Sequence, residues 1–451
     1  MSRDAVLVVG LAATGRAVAR RLVREGATVV AVEEHPDHPG YAGARDELDA
    51  LGVRVVEEPT DDELDALVRD STLVVPSPGV HDRHRVVLDA ERAGVPVRSE
   101  IDLAGERAAV PIVGVTGTNG KTTVTTLAAA MLRESGVRAT AAGNIGRPLI
   151  DAVDDDVDVL VAELSSFQLR FAPTFSPRVA VLLNLADDHL DWHGSRAAYE
   201  DAKTNVFRHQ REDALLVFNA DDARVAELVA GAPTRSVAFT TRSPRPGAFH
   251  VQDRRLATPD GETITTLDAM WSAAPHDVAN ALAASAAVLD VGATRDGAAR
   301  AIARFARLHH RVEPVGQSGG VHFVDDSKAT NPHATSTAVA GFDSVVLIAG
   351  GRNKGLDLGV LRAVAPRLRA VVAIGDASGD VERAFADLVP VTTAGSMRDA
   401  VRQAAACARP GDTVLLSPAC ASFDWYHDYG ERGDDFAREV ATLIETKEQT
   451  A

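Results

Sequence analysis

The chain has 451 residues, 45% of them apolar and 25% charged, and 47 basic against 64 acidic side chains leave a net charge of −17. At roughly 150 residues per domain this is room for about three domains with real cores, and the balance excludes intrinsic disorder. Such acidity argues against a general nucleic-acid binder, because a phosphate backbone wants a basic footprint.

Two cysteines, Cys407 and Cys420, make neither a disulfide framework nor a thiol metal site, so a reducing cytoplasm is expected. The N-terminus runs straight into an apolar strand, so no signal peptide is expected. No run approaches the ~20 apolar residues of a membrane helix, so no membrane insertion is expected either.

In chain order, Ala5–Val9 reads as a strand, Gly15–Glu25 as a helix, Thr28–Val32 as a strand and Thr72–Val75 as a later one. Strands alternating with helices predict a parallel sheet with crossover helices. Gly10-Leu11-Ala12-Ala13-Thr14-Gly15 would offer a helix N-terminus to a pyrophosphate, with Ala12 where a dinucleotide fingerprint has its middle glycine. Glu33 ends the second strand, where an acid could accept a ribose or uracil hydrogen bond, and Ser77-Pro78-Gly79-Val80 ends the later one.

A second unit starts near Val110 with the strand Ile112–Val115. Then comes Gly114-Val115-Thr116-Gly117-Thr118-Asn119-Gly120-Lys121-Thr122-Thr123 and a helix to about Arg133. Glycines let successive N–H groups point at an anion, Lys121 would reach outer phosphates and Thr122 a magnesium ion. The spacing is not the strict Walker pattern, which needs glycine at Val115. Strands Val157–Ala162 and Val179–Leu183 follow. Glu163, at the C-terminal end of the first of these, would face a ligand crevice and could hold magnesium. The Asp187–His193 cluster after the second reads equally as metal ligands or as a polar loop. Residues 233–268, with Pro244, Pro246 and Pro259-Asp260-Gly261, read as a small antiparallel excursion with a tight hairpin. A helix over His276–Leu289 puts His276 and Asn280 on one face.

A third unit starts near Leu308–Arg311, with strands His322–Val324, Val345–Ala349, Val371–Ile374 and Thr413–Leu416. The expected fold is α/β in three domains. These are an N-terminal Rossmann-like parallel sheet (1–109), a central P-loop ATPase-like mixed sheet (110–307) and a C-terminal Rossmann-like α/β domain (308–451).

Thr-Gly-Thr-Asn-Gly-Lys-Thr-Thr resembles the phosphate loop of the Mur ligases and of the related folylpolyglutamate synthases, which spend ATP to join a carboxylate to an amine. The resemblance extends over essentially the whole chain. The leading domain and three third-domain segments are similar to those of the D-glutamate-adding branch. The segments are Asp326-Ser327-Lys328-Ala329-Thr330-Asn331, Gly350-Gly351-Arg352-Asn353-Lys354-Gly355 and Leu416–Asp424.

The resemblance implies ligation of D-glutamate to UDP-N-acetylmuramoyl-L-alanine through an acyl phosphate, with ATP and Mg2+. That would place the chain in cytoplasmic peptidoglycan precursor synthesis, and so in cell-wall biogenesis, cell shape and cell division, as a monomer. It implies contacts to the UDP-substrate from Ala13, Thr14, Glu33, Ser77, Gly79 and Asn144. It implies contacts to ATP from Gly117, Thr118, Asn119, Gly120, Lys121, Thr122, Thr123, Asn280, Arg311 and Asp326. Thr122, Glu163, His189 and Lys203 would hold metal, Lys203 as a carbamate, a two-oxygen anionic ligand. Thr330, Lys354, Ser422, Phe423 and Tyr429 would hold D-glutamate or the substrate's end. Lys121, His189, Lys203, Lys328 and Arg311 would carry the catalysis. The chain departs from the family pattern at Asp277, His309 and Tyr429. The domains would close for reaction about short segments near 109 and 308.

Two other classes fit the sequence less well. A nucleotide-binding regulator needs the phosphate loop but not His189, Lys203 or the third-domain cluster. A NAD-dependent dehydrogenase fits neither Ala12 nor the second phosphate loop.

Overall fold

The computed structural model describes residues 5–37, 40–242 and 244–450. The chain forms two compact units, one of residues 1–185, 192–273 and 277–305, the other of residues 186–191, 274–276 and 306–451.

The first unit holds two sheets. β1 (Ala5–Val9), β2 (Thr28–Glu33), β3 (Arg54–Glu57) and β4 (Ser71–Pro76) form a wholly parallel sheet in the order β3-β2-β1-β4. The nine-stranded sheet is built from β5 (Ile112–Thr116), β6 (Ala139–Gly143), β7 (Val159–Glu163), β8 (Val179–Leu182), β9 (Leu215–Asn219), β10 (Arg235–Thr240), β11 (Ala248–Gln252), β12 (Arg255–Ala257) and β13 (Thr263–Thr266). Its order is β13-β12-β11-β10-β9-β8-β5-β7-β6.

Apolar runs put alternate residues on opposite faces, as a sheet covered on both sides requires. Ile112, Leu160 and Ala162 enter a core shared with Leu22 and Ile101, whereas Val113, Val115, Val159 and Val161 enter a second core with Leu127 and Leu282.

The 233–268 segment keeps the expected tight hairpin, β12 and β13 turning at Pro259-Asp260-Gly261, but differs in its first half. It is not a separate excursion: β10 pairs parallel with β9, and β11 parallel with β10, so both extend the nine-stranded sheet. Only β11–β12 and β12–β13 are antiparallel. The first of these hairpins turns on Asp253 and Arg254, both at positive φ (49° and 59°), the backbone a two-residue turn demands.

The second unit holds β14 (Glu313–Ser318), β15 (Val321–Asp325), β16 (Val345–Gly350), β17 (Leu368–Ile374), β18 (Val391–Thr393) and β19 (Thr413–Ala419). They form one sheet in the order β14-β15-β19-β16-β17-β18, parallel except for β14 against β15. Val345, Leu347 and Ala349 face one core, Val346 and Ile348 the other. No described helix is long and apolar enough to cross a membrane.

Candidate active site

β5 runs between β7 and β8 in the middle of its sheet and delivers the glycine-rich turn to the helix Lys121–Glu134. Gly120, at φ 88°, caps that helix without a side-chain bond, and a helix N-terminus with no capping side chain is suited to an anion. Crowding requires the glycines. A Cβ on Gly117 would come 2.8 Å from Leu183 Cβ, and one on Gly120 would come 2.6 Å from Asn280 Oδ1. The helix Pro275–Val288 thus sets Asn280 against the loop.

Asn184, just past β8, shapes the turn. Its Oδ1 accepts from Asn119 N at 2.8 Å, its Nδ2 donates to Asn119 O at 3.0 Å, and its carbonyl accepts from Thr118 N at 2.9 Å. The Thr118 and Tyr199 hydroxyls are 2.9 Å apart. Lys121 Nζ donates to Gly117 O at 3.0 Å and Thr118 O at 2.9 Å, and Thr122 and Thr123 open the helix.

Glu163 ends β7, where a Ser165–Gln168 capping box starts the next helix at once. Its Oε1 accepts from Asn144 Nδ2 at 2.9 Å, and Asn144 N donates to Glu163 O at 2.8 Å. Its Oε2 is buried and has no hydrogen-bond partner among the described residues. A buried carboxylate oxygen left open is costly unless something cationic meets it, and a hard cation with oxygen preference fits.

Lys203, from the helix Arg196–Arg208, is 2% exposed and donates to Gly117 O at 2.8 Å with its ammonium over the Tyr199 ring. Neighbouring His193 lies 2.9 Å from Ser166 Oγ, and burial, reinforced by the Lys203 charge, pulls its pKa down to about 4.

At the N-terminal sheet, Ala13 and Thr14 open the helix Ala13–Arg24, whose cap Ala12 brings no side-chain bond. Glu33 is occupied by backbone, its Oε2 accepting from Leu11 N at 2.7 Å and its Oε1 from His35 N at 3.0 Å. Ser77 Oγ donates to Gly10 O at 2.7 Å. Glu33 and Ser77 therefore shape the 10–14 turn, and Gly79 lies in the turn after β4.

In the second unit, Asp326 follows β15. Ser417 Oγ donates to its Oδ2 at 2.8 Å and Val312 N to its Oδ1 at 3.2 Å, and burial pushes its carboxyl up to about 7. Arg311 sits between two left-handed residues, His310 (φ 61°) and Val312 (φ 49°). Lys328 Nζ stands 3.6 Å from the Tyr429 ring centroid. Thr330 lies in the same turn, Ser422 is buried and Phe423 is exposed.

Lys354 ion-pairs with Asp188, whose other oxygen accepts from Asn331 Nδ2 at 3.0 Å. His189, at φ 54°, belongs with Asp188 to this unit, its Nε2 3.6 Å from Asp188 Oδ2. Thr122, Glu163 and Lys203 belong to the other unit. Among the described residues, one trio of potential metal ligands closes to within 4.8 Å, His310, Glu313 and Asp325, and none of these is an expected ligand. His310 Nδ1 and Asp325 Oδ2 are already hydrogen-bonded at 2.6 Å.

The sequence assigned no role to the side chains of Asn184 or Tyr199, and Asp188, within the cluster that read as metal ligands or a polar loop, pairs with Lys354 instead. A side-chain amide directly after a strand that flanks the phosphate-loop strand was the available signal for Asn184.

A family model described as the Mur ligase middle domain matches residues 115–288, and one described as the Mur ligase glutamate ligase domain matches residues 310–420. A UDP-N-acetylmuramoylalanine–D-glutamate ligase of Frankia casuarinae is 44% identical, over 96% of this chain and 93% of its own length. One from Thermobifida fusca is 41% identical, over 97% and 98%. Among solved structures, the UDP-N-acetylmuramate–alanine ligase of Thermotoga maritima has a TM-score of 0.61 at 19% identity, covering 98% of this chain and 99% of that one. The MurF ligase of Thermotoga maritima, solved in complex with ADP, also has 0.61, at 17% identity, covering 99% and 96%. The chain belongs to the Mur ligase family.

Proposed function

We propose that this chain ligates D-glutamate to UDP-N-acetylmuramoyl-L-alanine, consuming ATP and releasing ADP and phosphate, in peptidoglycan precursor synthesis. The observation that carries this reading is its 39–44% identity to eight curated ligases of that name, over nearly the full length of both partners. The proposed working parts are a UDP-substrate domain (1–109), an ATP domain (110–307) and a D-glutamate domain (308–451), acting as a cytoplasmic monomer.

A carboxylate does not acylate an amine at neutral pH. Transfer of the ATP γ-phosphoryl group to the substrate carboxylate gives an acyl phosphate. The D-glutamate amine then attacks its carbonyl, and phosphate leaves from the tetrahedral intermediate. In this reading Lys121 leaves the Gly117 and Thr118 carbonyls for the phosphates, which lie at the N-terminus of the helix Lys121–Glu134. Asn280 bounds the nucleotide, Arg311 and Lys328 add cations to the transferring group, and Asp326 accepts from the ribose.

Glu163, Thr122, His189 and Lys203, the last as a carbamate, would hold magnesium, which would supply charge neutralisation at the phosphates. Glu163 fits such an ion because its Oε2 is open. Asn144, bonded to Glu163, orients the substrate's reacting end. Ala13, Thr14, Glu33, Ser77 and Gly79 form the UDP end. Lys354 exchanges Asp188 for a D-glutamate carboxylate, joined by Thr330, Ser422, Phe423 and Tyr429.

Phosphate release from ATP with UDP-N-acetylmuramoyl-L-alanine, measured with D-glutamate, with L-glutamate and with neither, tests the reading. Release that depends on D-glutamate alone is expected. Release indifferent to the amino acid would overturn it.

A further inference from the structure

Arg432, one turn into the helix Tyr429–Thr450, is 1% exposed and is the bulkiest side chain so deeply buried among the described residues. Its Nε donates to Ser327 Oγ at 2.9 Å, its Nη2 to Ser327 O at 2.8 Å and its Nη1 to Cys420 O at 3.1 Å. Ser327 Oγ in turn donates to Tyr429 O at 2.7 Å. A Cβ on Gly351 would come 3.1 Å from Nη1. One planar fork therefore bonds the turns after β15 and β19 and packs close to the glycine turn after β16, and its rigid geometry can hold them in register.

Those turns are also tied to each other. Ala419 N donates to Ala329 O at 2.9 Å, and Arg352 and Ala421 exchange backbone bonds at 2.8 and 3.0 Å. Ala419 pays for its place with a left-handed backbone, φ 62°. The turns carry Thr330, Lys354 and Ser422.

The guanidinium forms no ion pair among the described residues, and its three acceptors are neutral. Burial lowers its pKa only to about 10, so it stays charged at neutral pH. Asp424 and Asp325 act on it through space only, so its place is fixed by the three neutral acceptors rather than by an ion pair.

We propose that Arg432 is a positioning residue for D-glutamate, pinning the Thr330, Lys354 and Ser422 turns in register. The proposal rests on the ligase reading above. It goes beyond it in giving a role to a residue that need not touch either substrate.

The test is steady-state kinetics on the full chain, with thermal melting alongside, for Arg432→Lys and Ser327→Ala. Arg432→Lys keeps the charge and loses the fork. It should raise the KM for D-glutamate at least tenfold while the KM for ATP stays within twofold. Ser327→Ala loses one of the fork's three contacts and the link to Tyr429, and should raise the KM for D-glutamate three- to tenfold with ATP again unmoved. Should the lysine variant not fold, Ser327→Ala decides alone. An unchanged KM for D-glutamate in a folded variant, or equal rises in both KM values, overturns the positioning role. A wild-type chain whose phosphate release ignored D-glutamate would instead remove the ligase reading, a different and separately visible failure.

Discussion

The ammonium groups of Lys121 and Lys203 meet on one acceptor, the Gly117 carbonyl, at 3.0 and 2.8 Å. Two like charges sharing one neutral oxygen repel each other in a water-poor turn. Either a phosphate that draws Lys121 away or a modification that removes the Lys203 charge relieves this. The two lysines are therefore electrostatically linked through the phosphate loop.

Lys121→Ala should abolish ligation while UDP-substrate binding, proposed to rest chiefly on Ala13, Thr14, Glu33, Ser77 and Gly79 at the N-terminal sheet, stays nearly intact. Losing one fixed charge from a transferring phosphoryl group costs on the order of a hundredfold or more in rate. Turnover near wild type, or a matching loss of UDP-substrate affinity in calorimetry, would contradict the assignment.

Glu163→Gln should separate function from stability. If Glu163 Oε2 waits for magnesium, the amide variant should need at least roughly tenfold more Mg2+ for half-maximal activity. Its melting temperature should hold or rise, because a buried carboxylate oxygen without a partner is itself a cost. A lower melting temperature with an unchanged magnesium requirement would mean the carboxylate is structural.

Lys354→Ala and Thr330→Ala should raise the KM for D-glutamate far more than that for ATP. Truncating a charge-assisted contact costs roughly 2–5 kcal/mol where it is buried. Lys354 is already paired with Asp188, so the amino acid must compete for it. Equal rises in both KM values would leave these residues a structural role only.

The long apolar strands were legible because β-branched runs bounded by turn residues have few other readings, as at Ala5–Val9, which the structure reproduces to the residue. Strands of another character were not. β6 reads Ala-Thr-Ala-Ala-Gly, and β14 contains Pro314 and Gly316. Both lie on sheet edges, where such residues are tolerated and leave no strand signal. β10 was misread because polar, proline-broken segments suggest a local hairpin, while it pairs parallel with β9 and carries β11 onto the same sheet. At the site, contiguous motifs such as 114–123 and 326–331 could be read directly. Arg432 could not, because a lone arginine on an amphipathic helix looks solvated until the loops above it are placed.

Glu100 offers a pH test away from the proposed chemistry. It is 1% exposed, its Oε1 accepts from Ile150 N at 2.7 Å, and burial pushes its carboxyl up to about 7 from an ordinary 4.5. Between those values the unfolded chain has lost the proton that the folded chain keeps, so this group's contribution makes stability fall as pH rises from about 4.5 to 7. Glu100→Gln removes the titration. Its melting temperature should decline less than wild type between pH 5 and 8. Parallel curves would mean that Glu100 stays ionised in the folded state.

The last prediction concerns Lys203. A lysine that is 2% exposed and set over the Tyr199 ring is not a solvated surface cation. If it works as a carbamate, both Lys203→Ala and Lys203→Arg should lose activity, because arginine keeps the positive charge but cannot take up carbon dioxide. If only a cation were needed, arginine should retain substantial activity. A carbamate would also reverse the sign of the charge facing His193, whose imidazole the Lys203 ammonium now helps to hold neutral. In wild type, raising bicarbonate should therefore increase activity and move the His193 ring resonances in NMR. In Lys203→Arg, bicarbonate should do neither. Formate or acetate at high concentration should restore part of the turnover of Lys203→Ala by placing a carboxylate where the carbamate stood. An active arginine variant refutes the carbamate. An inactive one that leaves the wild-type response to bicarbonate flat refutes it too, because the loss would then come from the fit of the larger guanidinium.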